Sequence, residues 1–227
     1  MTGRLVRQVL TLVHKELLIE WRQAGRVSAL FFFGTAVLLM MALATPSMDQ
    51  LPGLAGGVLW LGLLLASTRS LDHSLAVELE HQTLDRLVRW PADPVAIYYG
   101  KALANLLVLL GVAIVLTPIL IALYDAPLPQ HPWMYLGILV AGCAGLAGPG
   151  TILAAITTQA RGASVLLPLL LFPMVVPVVL AASLATRLVL TGDAMNQADD
   201  WLMILGVFDA VFWLLGGLLF SRVVDES

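Results

Sequence analysis

Residues Arg69–Lys101 read RSLDHSLAVELEHQTLDRLVRWPADPVAIYYGK, and this stretch decides the fold because it is the only long polar run between hydrophobic stretches. We call it the polar segment. The sequence on both sides is apolar enough to lie in lipid, where charged side chains are costly. The chain therefore divides into membrane-embedded parts and one segment that a water-soluble partner can reach.

The composition is that of an integral membrane protein. Of the 227 residues, 59% are hydrophobic and 12% are charged, and the charged fraction is about half that of a typical soluble domain. The length suits one compact bundle, so we expect a single transmembrane domain over residues 1–227. No basic stripe of the kind that binds nucleic acid is present.

The hydrophobic runs predict an all-α, polytopic membrane protein with six transmembrane helices, because about 20 apolar residues span a bilayer as a helix. Glycines at three-residue spacing within the fourth run predict either a break or a close helix approach there. The expected spans are about 27–44, 54–68, 102–124, 132–158, 163–186 and 201–221.

Residues 4–22 predict an amphipathic helix that lies in the membrane interface before the first span. Trp21 is expected to anchor it at the headgroup level, where tryptophan is enriched. Its apolar residues recur near helical spacing: Val6, Val9, Leu10, Val13, Leu17 and Trp21.

Within the polar segment, leucines at every fourth position predict one short helix, and Thr83 and Asp85 are suited to begin a second. Such a pair, with an apolar stripe and acidic flanks, can dock into a groove on a soluble protein. A loop that folds over the bundle is the alternative. The residues expected to make the contact are Glu78, Glu80, Thr83, Leu84, Asp85 and Leu87.

Eleven of the twelve Lys and Arg residues fall in segments that six spans would place on one side, against Arg187 alone on the other. The positive-inside rule therefore predicts that both termini and the polar segment are cytoplasmic.

Recognisable catalytic and nucleotide-binding motifs are missing from the sequence. No G-x-x-x-x-G-K-S/T run occurs, so a bound nucleotide is not expected on this chain. The four histidines lie outside the expected spans, where solvated surface positions are the simplest interpretation. No catalytic pair lies at membrane depth, so an intramembrane enzyme is not expected.

Asp209 is the one charge deep in an expected span. Such a carboxylate marks either a functional site or a buried interhelical contact, for which Asn105 is one possible partner. Trp60 and Trp213 also lie mid-span, where they either pack between helices or line a haem surface.

Three runs carry a resemblance to known proteins: E-x-E-x-x-T-L-D (Glu78–Asp85), G-K-A-L-A-N (Gly100–Asn105) and K-E-L-x-x-E-W-R (Lys15–Arg22). The first two resemble the cytoplasmic coupling region of exporter-type, ABC-2-like permeases. With the third, which is more particular, the chain is similar to the haem exporter protein B family, the CcmB-type permeases of cytochrome c maturation. The interfacial residues that match are Lys15, Glu16, Glu20, Trp21 and Arg22.

The sequence departs from this pattern in the polar segment. Gln82 stands where the family usually has glycine, and Val77 and Leu79 stand where basic residues often separate the acids. These differences bear on the turn between the two coupling helices and on the partner's groove.

The resemblance implies a transporter subunit in the bacterial inner membrane, rather than an enzyme. Two copies would pair with two copies of a separate ATPase, which holds the ATP, and with membrane subunits that handle haem. Haem is then a possible transported species, and no cofactor is expected on this chain. The alternatives are an exporter permease for lipid, polysaccharide or drug, and a non-transporting scaffold of an assembly complex.

Overall fold

The computed structural model describes residues 2–22, 24–80, 93–157, 163–193 and 195–225, and these contain helices and no strands. Within these residues there are seven α-helices, and one 3-10 turn, Met48–Gln50, precedes the third. They are α1 (Thr2–Arg22), α2 (Ala24–Ala44), α3 (Leu51–Glu80), α4 (Pro94–Tyr124), α5 (Pro132–Thr157), α6 (Ala163–Thr191) and α7 (Gln197–Asp225).

Six of the described segments are long and apolar enough to cross a membrane, so the prediction of an all-α protein with six spans is confirmed. Their mean hydropathy is high because they are rich in Leu, Val, Ile and Ala. The candidate spans are Val27–Ala44, Met48–Thr68, Pro94–Tyr124, Pro132–Thr157, Leu166–Thr191 and Gln197–Phe220.

The polar segment is organised differently from the prediction. Its first part is not a separate short helix, because α3 continues without a break from the second span to Glu80. Residues 69–80 contain neither proline nor glycine, so nothing interrupts the helical hydrogen bonds. Residues 81–92, where the second short helix was expected, lie outside the described residues.

The last part of the polar segment belongs to the third span, which was expected to start at 102. Helix α4 begins at Pro94, where the fixed backbone of proline suits the first helical position. The Asp93 side chain accepts a hydrogen bond from the Val95 amide at 3.0 Å and caps the helix. Hydropathy alone missed this start because the first turns carry Tyr98, Tyr99 and Lys101.

Glycines of α5 let large side chains of three other helices reach its backbone. A Cβ on Gly145 would lie 2.7 Å from Val178 Cγ1, and a Cβ on Gly148 would lie 2.8 Å from Trp213 Nε1. Gly142 is covered by the ring of Trp60. Of the two outcomes expected for this glycine run, the structure shows close packing, since α5 remains unbroken through Pro149.

Helix α1 and the last turns of α7 lie at the same end of the bundle as the start of α4. Val9 and Val13 of α1 pack with Ala96 of α4, and Phe220 of α7 packs with Tyr98 of α4. This end therefore gathers the N-terminal helix, the point where the polar segment re-enters the bundle, and the end of the last span.

Candidate functional site

We define the junction as the first turns of α4 (Pro94–Asn105) together with the parts of α1, α5 and α7 that contact them. It is the place where the polar segment joins the membrane-spanning bundle. The Asp93 cap and Pro94 fix where the helix starts, so residues 81–92 are joined to the bundle at this helix end and, on their other side, at the end of α3.

Helix α1 lies closely against α4 because Gly100 has no side chain. A Cβ on Gly100 would lie 2.7 Å from Leu12 Cβ, a distance at which one of the two helices would have to move. Two of the runs that carry the family resemblance, Lys15–Arg22 and Gly100–Asn105, are thereby brought together. Their separation along the chain gave no indication of this contact.

An ion pair joins the same two runs. Lys101 Nζ lies 3.6 Å from Glu16 Oε1, and the two side chains are only 6% and 13% exposed. Lys15, which is 46% exposed, lies 3.3 Å from the same Glu16 oxygen. Two lysine side chains therefore share one largely buried carboxylate oxygen, and the buried Lys101 has more to lose from removal of that carboxylate than the half-exposed Lys15.

The remaining predicted residues of the interfacial helix lie on different sides of α1. Glu20 is buried, whereas Trp21 and Arg22 are exposed, Trp21 by 83%. The apolar stripe expected from periodicity is likewise divided. Val9 and Val13 are buried, and Val6 and Leu10 are exposed. Periodicity identified the helix but could not show that it packs on α4, because that depends on Gly100.

Aromatic side chains connect the start of α4 to two further helices. Tyr98 is fully buried, and its hydroxyl donates to the Gly148 carbonyl of α5 at 3.4 Å. The Tyr99 hydroxyl donates to the Trp213 carbonyl of α7 at 3.1 Å, and the Tyr99 and Trp213 rings stack at a centroid distance of 6.1 Å. These contacts connect the start of α4 to α5 and α7 at the junction.

About two helical turns after Tyr98 on α4, Asn105 Nδ2 donates to Thr151 Oγ1 of α5 at 3.3 Å, and both residues are buried. The suggestion that Asn105 partners Asp209 is therefore wrong. Asp209 lies against α5 instead: its Oδ1 is 3.1 Å from the position that a Cβ on Gly145 would take. That oxygen is buried and has no hydrogen-bond partner among the described residues.

The two mid-span tryptophans are interhelical packing residues. Trp60 is fully buried and its Nε1 donates to Thr186 Oγ1 at 2.9 Å. Trp213 Nε1 donates to the Ala144 carbonyl at 3.1 Å. In the part of the chain that the structure describes, no group of His, Cys, Asp and Glu residues is arranged to hold a metal ion.

The predicted contact residues of the polar segment are only partly within the described structure. Glu78 and Glu80 lie on the last turns of α3. Thr83, Leu84, Asp85 and Leu87 lie outside the described residues. The described ends, Glu80 and Asp93, nevertheless show that this stretch connects α3 to α4.

The interhelical contacts of Tyr98, Tyr99 and Lys101 were not predicted from the sequence. A usable signal was present, since Asp-Pro at 93–94 is a strong helix-start pattern. With the helix placed there, Tyr98, Lys101 and Asn105 follow at a spacing typical of one helix face.

Comparison with known proteins gives concordant matches over nearly the full length. The model of the CcmB protein family matches residues 7–226. A heme exporter protein B of Rhodobacter capsulatus is 34% identical over 179 residues, which cover 78% of this chain and 81% of that protein. The protein of the same name from Pseudomonas aeruginosa is 28% identical over 194 residues, or 85% and 86% of the two chains.

Proposed function

Because this chain belongs to the CcmB protein family, and is thus a permease component rather than an enzyme, we propose that it is the membrane subunit of an ATP-driven exporter. A separate ABC ATPase supplies the energy. Two copies of each form the core of the transporter, together with membrane subunits that handle haem. The chain lies in the bacterial inner membrane with both termini and the polar segment in the cytoplasm.

The observation that carries this proposal is the geometry around residues 81–92. This polar stretch is held between the end of α3 at Glu80 and the capped start of α4 at Asp93. A soluble ATPase that binds it therefore acts on two membrane helices at once. Glu78, Glu80, Thr83, Leu84, Asp85 and Leu87 form the docking surface.

The junction provides a route from that surface to the bundle. A displacement of α4 at Pro94 acts on α1 through Leu12 and Glu16, and on α5 and α7 through Tyr98 and Tyr99. Since packed interiors resist compression and shift as units, closure of the ATPase dimer would reposition these four helices together.

The cargo we propose is haem, and the outcome is either haem movement or release of a haem-loaded chaperone at the outer face during cytochrome c maturation. The family and the names of the relatives support this assignment. The role of this chain is mechanical, and haem is the substrate of the assembly rather than a resident group.

The direct test is co-expression with the ABC ATPase of the same organism's cytochrome c maturation system, followed by purification and an ATPase assay. Glu80→Lys and Asp85→Lys should abolish co-purification or stimulation of hydrolysis, because each reverses a charge on the docking surface. Asp199→Lys is the matched control, since it reverses an exposed acid in the first turn of α7, away from the docking surface. Normal binding and stimulation by both docking-surface variants would disprove the coupling assignment.

Two other functions give different results in the same preparation. An exporter of lipid, polysaccharide or drug would retain the ATPase but purify without a haem absorption band. A non-transporting scaffold would show no ATP-dependent change in the reactivity of cysteines introduced along α2, α3 and α6.

A further inference from the structure

Helix α1 presents three distinct faces, and only one of them contacts the bundle. Val9 and Val13 point into that contact, and so do the two acidic residues of the helix. The Glu16 side chain is 13% exposed and Glu20 is buried. Both carboxylates are thereby removed from the outer surface of the helix.

A second face is apolar and uncovered. Val6, Leu10 and Trp21 are 53%, 62% and 83% exposed. At 3.6 residues per turn they fall within about 60° of one another around the helix axis. Only residue 23 separates α1 from α2, so this row leads directly to the first membrane span.

The third face is basic. Arg4, Arg7, Lys15 and Arg22 are all exposed, and helical geometry places them within about 80° of one another. The centre of this face lies about a third of a turn around the axis from the apolar row. One apolar residue, Leu18, is exposed among them.

We propose that α1 is a binding site for anionic phospholipids, with its apolar row in the acyl region and its arginines on headgroup phosphates. Charge complementarity favours this occupant, because the helix turns both carboxylates inward and leaves its basic residues outside. A helix with an apolar face beside a basic face is typical of binding at an anionic bilayer surface. The site does not depend on which cargo the exporter moves.

Lipid bound there would also fix the position of the junction. Leu12 and Glu16 hold α1 to Gly100 and Lys101 of α4. Anionic lipid that draws α1 into the interface therefore sets the height at which α4 begins. The lipid composition of the membrane would then be one of the factors that set the position of α4 at the junction.

The test uses the full-length protein in vesicles of phosphatidylcholine that contain trace spin-labelled phosphatidylglycerol or spin-labelled phosphatidylcholine. The measured quantity is the relative association constant of the two labelled lipids with the protein. Wild type should prefer phosphatidylglycerol, and the preference should weaken as salt is raised because exposed charges are screened. The triple variant Arg4→Gln, Arg7→Gln, Arg22→Gln should reduce the preference by about fivefold or more.

Two controls keep the result specific. The triple variant Arg4→Lys, Arg7→Lys, Arg22→Lys retains the charge and should retain the preference. Arg187→Gln removes an exposed basic residue near the end of α6 and should leave the lipid preference unchanged. The proposal fails if the Gln triple variant keeps the wild-type preference, or if that variant instead loses ATPase binding with lipid selectivity intact. The second outcome would identify a protein-docking face.

Discussion

Glu16 of α1 and Lys101 of α4 form an ion pair of 3.6 Å that joins two sequence runs separated by the first two membrane spans. Lys101 and Glu16 are only 6% and 13% exposed, and removing one partner of such a pair leaves the other charge buried. Lys101→Met should therefore destabilise the protein. We expect about 2 kcal/mol, below the roughly 3–5 kcal/mol for breaking a fully buried pair, because Glu16 retains Lys15.

Thermal unfolding in detergent measures this effect, and Lys15→Ala is its matched control. Lys15 contacts the same oxygen but is 46% exposed, so its loss should cost less than about 1 kcal/mol. Equal destabilisation by the two variants would show that burial of Lys101 does not decide the strength of the pair.

Gly142 should tolerate a side chain poorly, since the ring of Trp60 occupies the position that a Cβ would take. Gly142→Ala should destabilise by about 1–3 kcal/mol, the usual cost of overpacking. Gly111→Ala in α4 is the control, because nothing lies within 4 Å of its Cβ position. It should be neutral or slightly stabilising in the same unfolding assay.

Asp193 should make stability depend on pH in the acid range. Its carboxylate accepts hydrogen bonds from the Ala198 amide at 2.8 Å and the Gln197 amide at 2.9 Å, which hold its pKa below the ordinary value. A lowered native pKa means that the carboxylate stabilises the fold above its ordinary pKa of about 3.9. That contribution is lost as pH falls through the native pKa.

Asp193→Asn should therefore lower the unfolding temperature at neutral pH and flatten its decline on acidification. Unfolding scans of both proteins from neutral to strongly acidic pH measure this. An identical acid decline in wild type and variant would show that the carboxylate does not stabilise the start of α7.

Asp209 should be replaceable without loss of stability. Its Oδ1 is buried and has no hydrogen-bond partner among the described residues, and an unsatisfied buried polar atom costs free energy. Asp209→Asn removes the ionisable group and keeps the shape, so we expect the unfolding temperature to stay level or rise. A drop of several degrees would reveal a stabilising partner for the carboxylate.

The six spans were predictable from sequence because bilayer thickness imposes long apolar runs that hydropathy detects. Hydropathy missed the start of α4, since Tyr98, Tyr99 and Lys101 read as polar, although Asp93 followed by Pro94 is a helix-start pattern. In the structure, Tyr98 and Tyr99 hydrogen-bond to α5 and α7, and Lys101 pairs with Glu16. Partners distant in sequence satisfied those groups, and periodicity carries no information about such partners.

The continuation of α3 to Glu80 illustrates a different limit. The fall in hydropathy after Thr68 correctly marked the end of the apolar run, but a helix ends only where its backbone is interrupted or capped. Neither signal occurs between Arg69 and Glu80. The packing of Trp60 on Gly142 was likewise beyond sequence reasoning, which identified the glycines but not the ring that covers one of them.

The central claim is that residues 81–92 contact the ATPase, and site-specific photo-crosslinking in the assembled complex tests it most directly. A photoreactive residue at Asp85 should give a covalent product with the ATPase. The same residue at Leu128, which is 75% exposed in the connection at the opposite end of α4, should give none. A crosslink from Leu128 but not from Asp85 would contradict the account.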